Sequence, residues 1–343
     1  MSRRPTISDL AELAGVSVAT VDRVLNGRLP VRGVTADRVM RAAEAIGYHA
    51  APLLRSRVRK TGPARRFGVL LQKKTDAFYQ HLAASFEAAA RAHPDRRIRL
   101  AVEFIEELSP STVVDALRRL GTVAEALAIV SIDHPFVSQE IARLRAEGIP
   151  TVAMVTDLTA EDRIGYVGRD NRKEGRTAGW MIARAAREPG KVGIIVGSHR
   201  FLCQETAEIS FRSYFREHAP AFRLMEPLVN LDDPRIAYEA THDLVARNPD
   251  IVGIYICGGG TEGVIRAARE DALAGRVAIV CNELTGITRG ALIDGVLTAV
   301  ISTPVEAMVA RTMAMLAEAL DTQTAMPARQ EMLPFDLYVS ENV

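Results

Sequence analysis

The sequence predicts an α/β protein with a small all-α head followed by two doubly wound parallel-sheet lobes. Three observations carry that expectation. Residues 6–26 read as two short capped helices around a glycine turn. From Phe67 onward, eight short apolar runs alternate with amphipathic stretches. The third observation is charge. Residues 1–66 hold thirteen Arg or Lys against five Asp or Glu, a net of +8, so a total of +1 leaves −7 on the rest of the chain. A basic head on an acidic body is an electrostatic footprint for nucleic acid.

In the head, Thr6 is placed to cap a helix, with Asp9 three residues on to return the hydrogen bond. Ile7, Leu10, Ala11 and Ala14 recur at helical spacing, and Gly15 can take the left-handed conformation that ends a helix. Ser17 then caps a second helix from Val18 to Leu25, with Val21, Val24 and Leu25 as its apolar face. Two helices joined by such a turn form a helix-turn-helix, which sets its second helix in the DNA major groove. A plain helical hairpin appended to an enzyme is the structural alternative. A third helix is expected from a cap at Thr35, with Ala42, Ala43, Ile46 and Tyr48 closing a small core.

The stretch TISDLAELAGVSVATVDRVLNG resembles the amino terminus of the LacI/GalR family of bacterial repressors, and VTADRVMRAAEAIGY resembles that family's third helix. The resemblance extends over essentially the whole chain. It implies that base edges are met from the start of the second helix, at Val18 and Ala19, with Arg23 one turn further. Val18 and Ala19 offer only apolar contact, as to a thymine methyl, whereas Arg23 can grip a guanine through two hydrogen bonds. Ser17 and Thr20 suit phosphate. Asp22 departs from the small polar residue usual in the family, and its role is left open. In the family the linker, here 50–66, folds against DNA and wedges a leucine into the minor groove. The wedge position falls on Arg57, with Leu53 and Leu54 one turn earlier, so either the register shifts or Arg57 enters the groove by charge. The DNA-facing set implied is therefore Thr6, Ser17, Val18, Ala19, Thr20, Arg23, Asn26, Leu54 and Arg57. Six basic residues and no acidic one in the linker predict steep salt dependence.

In the body, FGVLL, IRLAVEFI, ALAIVSI and TVAMVT read as buried parallel strands of a first lobe, and KVGIIVG, FRLMEPLVN, IVGIYICG and VAIVCNE as those of a second. Ligands of such sheets bind beyond the carboxyl ends of the strands. The family body is similar to periplasmic sugar-binding proteins, with two lobes, three crossovers and a ligand in the cleft. Carried onto this sequence, that likeness points to Asp76, Phe78 and Tyr79 after the first strand, Asp133 after the third, Asp170 and Asn171 entering the second lobe, and Asn282 and Glu283 closing VAIVCNE. Aromatic faces suit the C–H faces of a sugar and carboxylates its hydroxyls, although each Asp or Asn would equally serve as a helix cap. Two departures stand out. The family's clamp arginine aligns with Ala207, four residues before Phe211, and a cleft position often held by Gln aligns with Thr303. His199, Arg200, Gln204 or Glu205 would have to substitute; His199, Gln204 and Thr303 complete the expected effector set. Expected bounds are 1–49 for the head, 50–66 for the linker and 67–343 for the body, its first lobe about 67–164 with 296–325, its second about 165–295 with the C-terminal segment.

One motif competes. Gly258, Gly260 and Gly263 form G-x-G-x-x-G after an apolar run and before a helix, with Glu283 twenty residues beyond, the local signature of a dinucleotide site. It would make the chain a NAD- or nucleotide-using enzyme, except that the fingerprint normally opens its domain and here several βα units precede it. A transport binding protein is the other rival, disfavoured by the basic head. No zinc-protease, P-loop or nucleophile-elbow motif occurs, the histidines lack ligand spacing, and neither cofactor nor metal is expected. With 48% hydrophobic and 25% charged residues, no apolar run of about 18 residues and no signal-like start, a cytoplasmic location is expected. Cys203, Cys257 and Cys281, odd in number and far apart, fit a reducing compartment. The reading is a cytoplasmic, non-enzymatic transcriptional repressor, with no membrane partner, that binds operator DNA as a homodimer under control of a sugar or polyol.

Overall fold

The computed structural model describes residues 5–26, 31, 33–54, 64–93, 97–322 and 328–343. The head contains α1 (Ile7–Ala14), α2 (Val18–Asn26) and α3 (Gly33–Ala45). Local chemistry sets their ends. The Asp9 amide donates to Thr6 Oγ1 at 3.3 Å while the Thr6 amide donates to Asp9 Oδ2 at 2.7 Å, closing the capping box. Gly15 ends α1 at φ 60°, and the Thr20 amide donates to Ser17 Oγ at 3.2 Å to start α2. The third helix begins two residues before the expected cap Thr35. Leu10, Val21, Val39 and Ala43 are fully buried at the centre of the head core. Residues 51–54 form a helical turn whose Leu54 is 0% exposed in that same core.

The body has two sheets. The first takes β1 (Arg65–Gln72), β2 (Ile98–Ile105), β3 (Ala126–Ile129), β4 (Thr151–Met154), β5 (Gly165–Arg169) and β12 (Arg329–Leu333), in the spatial order β12-β5-β4-β3-β1-β2. The second takes β6 (Lys191–Val196), β7 (Arg223–Leu224), β8 (Leu228–Val229), β9 (Ile251–Cys257), β10 (Ala278–Asn282), β11 (Ala299–Ser302) and β13 (Asp336–Tyr338), in the order β13-β11-β10-β9-β6-β7 with β8 also on β6. Both orders are doubly wound, reversing between β1 and β3 in one sheet and between β6 and β9 in the other. Val192, Ile194, Ile254, Ile256, Ile279 and Val300 are buried on one or other face of the second sheet, which is why its strands read as continuous apolar runs. The run FRLMEPLVN splits into β7 and β8 around Pro227, which has no amide to donate to a ladder.

The connecting helices are α4 (Ala77–Ala92), α5 (Pro110–Val123), α6 (Pro135–Ala146), α7 (Asn171–Ala185), α8 (Leu202–His218), α9 (Pro234–Arg247), α10 (Thr261–Glu270), α11 (Gly286–Ile293) and α12 (Val305–Asp321). The chain passes between sheets after β5, β11 and β12. Strand β5 pairs with β4 and so belongs to the first lobe, while β11 pairs with β10 in the second. The crossings thus fall a few residues later than the expected bounds near 164 and 295, and β12 returns the C-terminal segment to the first sheet before β13 joins the second. Helix α7 packs on α8, and this contact explains Ala207. A side-chain carbon added at Gly175 would collide with the Ala207 carbonyl, so Ala207, fully buried, is a residue of close helix packing and not a vacant clamp. Trp180, in α7, is 48% exposed.

Candidate functional site

On the head, Ser17, Val18, Ala19, Arg23 and Asn26 are all exposed, because Val21 and Val24 turn the opposite face of α2 into the core. Thr20 is half-buried and shares a hydrogen bond of 2.9 Å with Ser17. Asp22, left open by the sequence, accepts from Asn26 Nδ2 at 2.6 Å, so its carboxylate is anchored along the helix. Thr6 spends its hydroxyl on the capping box. Leu54, expected at the minor groove, is buried in the head core, and the exposed leucine is its neighbour Leu53, at 49%. Arg57 lies outside the described residues.

In the body, the carboxyl ends of β1, β3, β6 and β9, where both sheets reverse order, surround a cavity lined by residues of both lobes. That is the place at which this topology puts a ligand. Of the expected residues, Asp76, Phe78, Tyr79, Gln204, Asn282 and Glu283 line it. The others do not. Asp133 accepts from the Thr159 amide at 2.8 Å and from its hydroxyl at 3.0 Å, tying down a loop. Asp170 caps α7 through the Lys173 amide at 3.1 Å. Asn171 reaches the Tyr166 hydroxyl at 3.4 Å, and His199 is exposed outside the wall. Thr303 is spent on Glu283, donating through its amide at 2.9 Å and its hydroxyl at 2.8 Å.

The wall also includes Gln72, Lys73, Arg169, Asp232 and Glu262, which the sequence reading did not single out. Asp232 follows β8 and Glu262 opens α10, so the strand-end rule would have reached both. Arg169, at the end of β5, is the electrostatic centre of the floor. It pairs with Glu174 and Glu283 at 3.3 Å each and donates to the Ile301 carbonyl at 3.0 Å. Burial alone would weaken its hold on the proton, but the carboxylates of Glu174 and Glu283 outweigh burial and raise it above the ordinary range. Other polar contacts join the lobes around the cavity: Lys73 Nζ donates to the carbonyls of Leu231 and Asp232 at 2.7 and 2.8 Å, and the Cys203 amide donates to Thr156 Oγ1 at 3.2 Å. Burial pushes the Cys203 thiol up to about 12, leaving it a neutral part of the wall. Burial likewise raises Asp76, against the lowering effect of the Phe78 and Tyr79 amides, and Glu262 and Asp232 raise it further.

Backbone strain gathers at the same place. Lys73, Val155, Leu231, Asp232 and Glu283 all have positive φ, and all lie on or beside the cavity wall. For a β-branched residue such as Val155, at φ 67°, this is a costly conformation, held by its amide on the Val167 carbonyl at 3.1 Å and by the Tyr166 hydroxyl on its own carbonyl at 3.1 Å.

The glycine motif serves this wall. Asp232 accepts from the Gly259 amide at 2.6 Å, and its carboxylate sits against Gly258, at 2.9 Å from where a side chain would begin. An acid therefore stands where a dinucleotide would bring its pyrophosphate. Gly263 is required by packing, since a side chain there would collide with the Pro234 carbonyl at the start of α9.

Fold and cavity together define a two-lobed body that follows a helix-turn-helix head in the chain. Residues 67–324 match the family model of the periplasmic binding protein domain, and the chain belongs to that family; residues 6–51 match the model of the bacterial regulatory proteins, lacI family. The chain is 27% identical over 199 residues to the HTH-type transcriptional regulator GalS of Salmonella typhimurium, covering 57% of this chain and 54% of that one. It is 35% identical over 83 residues to the HTH-type transcriptional repressor PurR of Vibrio campbellii, covering 24% of each. The chain thus spans about half the length, or less, of these curated relatives. Among solved structures, an ABC transporter solute-binding protein from Agrobacterium vitis bound to alpha-D-tagatopyranose superposes with a TM-score of 0.74 at 21% identity, covering 81% of this chain and 95% of that one. That likeness shows the fold. Both regulators' names describe transcriptional control, and the dinucleotide-enzyme alternative finds no support among them.

Proposed function

We propose that this protein is a cytoplasmic transcriptional repressor of the lacI type, in which a head at 1–49 reads operator DNA, a linker at 50–66 joins it to the body, and a body at 67–343 senses a hydroxylated small molecule. The observation that carries the reading is the exposed stripe of Ser17, Val18, Ala19, Arg23 and Asn26 on a capped second helix, in a chain whose body has a cavity where its strand orders reverse. Val18 and Ala19 meet apolar base edges, Arg23 supplies the hydrogen-bonding contact, and Ser17 and Thr20 position the helix against phosphate. One such helix reads too few base pairs alone, so the working unit is a homodimer on a two-fold site. The ligand acts by its difference in affinity between lobe arrangements, and the strained strand ends around the cavity are where that difference is felt.

The test is selection of bound genomic fragments by the purified protein at about physiological salt, where specific and non-specific binding separate. A palindromic motif supports the reading. Only diffuse retention that fades with salt counts against it.

A further inference from the structure

The cavity wall is electrostatically unbalanced. Four carboxylates reach it, from Asp76, Asp232, Glu262 and Glu283, against the two cations Lys73 and Arg169. Both cations are already engaged. Arg169 is held between Glu174 and Glu283, and Lys73 donates to two backbone carbonyls. Among the described residues, Asp76, Asp232 and Glu262 form no ion pair. Asp76 accepts only from the amides of Phe78 and Tyr79, at 2.8 and 3.4 Å, and Asp232 from the amide of Gly259, with Gln204 and the charge of Lys73 nearby. Asp76 follows β1 in the first lobe and Glu262 opens α10 in the second, yet each is close enough for Glu262 to disfavour the ionisation of Asp76.

A second observation points the same way. Gln72 and Asn282 line the cavity at 2% and 9% exposure, and the side-chain oxygen of each has no hydrogen-bond donor among the described residues. Each amide nitrogen gives a hydrogen bond, to the Val130 carbonyl at 2.7 Å and to Glu174 at 2.8 Å respectively, while the oxygen beside it stays an unanswered acceptor. Buried acceptors are ordinarily satisfied. The wall therefore asks for donors and positive charge. A neutral polyol brings one acceptor oxygen with every donor it offers, and an anion finds no free cation in the wall among the described residues. An ammonium group brings three donors, no acceptor and a charge. Phe78 and Tyr79, whose ring centroids lie 5.2 Å apart, add faces that favour a cation or the C–H groups of a ring.

We infer that the molecule completing this cavity carries a protonated amine on a hydroxylated frame, as an amino sugar or amino polyol does, with the ammonium answered by Asp76 of one lobe and Glu262 of the other. The inference rests on reading the cavity as the effector site.

Calorimetric titration of the purified full chain tests it, with D-glucosamine, D-galactosamine and glucamine set against D-glucose, D-galactose, sorbitol and N-acetyl-D-glucosamine. At least one amine binds about tenfold or more tightly than its neutral counterpart. That preference is lost in Glu262→Gln and in Asp76→Asn, whose folding is checked by their thermal midpoints, and N-acetylation removes it as well. Neutral compounds binding as tightly as the amines, or an amine preference untouched by both substitutions, overturns the inference. Neutral binding that weakens in Phe78→Ala leaves the effector site standing while the amine falls. Binding by neither series, or binding indifferent to Phe78→Ala, overturns the effector site along with it.

Discussion

Replacing Arg169 by Met removes the one cation from a buried cluster of two carboxylates. Arg169 and Glu174 are almost completely buried, and breaking such a pair costs about 3–5 kcal/mol because a charge is left uncompensated. The cost falls unequally. Glu283 keeps the amide and hydroxyl of Thr303 and stays partly exposed, whereas Glu174 keeps only the Tyr255 hydroxyl at 3.1 Å and the Asn282 amide at 2.8 Å. The double variant Arg169→Met with Glu174→Gln should therefore recover most of the loss. Acid should help the single variant too. Burial already raises Glu174, and the charge of Arg169 opposes that rise, so removing it lifts the group further. An acid raised in the folded state contributes stability below its unfolded pKa and loses it as pH rises through the folded one, so the deficit shrinks on acidification. Urea titration followed by the fluorescence of Trp180, the only tryptophan and on the same helix as Glu174, reads this directly. With a slope of about 3 kcal/mol/M the midpoint should fall by about 1 M or more. A loss below about 1 kcal/mol, typical of a solvated pair, or a double variant no better than the single, would refute the reasoning.

Other expectations are simpler. Arg23→Ala should weaken operator binding by about 1–3 kcal/mol and relax preference at one base pair per half-site, read by gel shift on single-base operator variants. Leu54→Ala should destabilise the head by about 2–5 kcal/mol in thermal melts, whereas Leu53→Ala should leave it within about 0.5 kcal/mol. Asp76→Asn should raise the thermal midpoint of the ligand-free protein at neutral pH. The carboxyl's pKa is raised on folding, so its ionisation costs stability, and the advantage of Asn should vanish as pH falls below the ordinary carboxylate range.

What could be read from the chain, and what could not, divides along the range of the interactions involved. Thr6 with Asp9, Gly15 and Ser17 are neighbours in sequence, so the head's helices and their ends were legible before any tertiary contact was known. Leu54 was not, because an apolar residue beside a basic linker suits a groove and a core equally well, and only the closeness of Leu10, Val39 and Tyr48 in the folded head decides. The two sheets were legible as a pattern of apolar runs, but the lobe bounds moved because β5 and β11 belong to whichever sheet pairs them.

The cavity shows the same limit in chemical form. Asp and Asn at strand ends accept hydrogen bonds from amides whether they cap the next helix, as Asp170 does, tie a loop, as Asp133 does, or face a ligand, as Asp76 does while also receiving the Phe78 amide. Residue type is the same in all three, since the task is the same: to answer N–H groups. What separates them is which of them the folded chain brings to the cavity: Asp76 after β1, Asp232 after β8, Glu262 after β9 and Glu283 after β10 line it, while Asp133 after β3 and Asp170 after β5 do not. The glycines after β9 read two ways for a related reason. A loop that lets a pyrophosphate approach also lets a carboxylate approach, and here Asp232 takes that place, turning an anion cradle into part of an acidic wall.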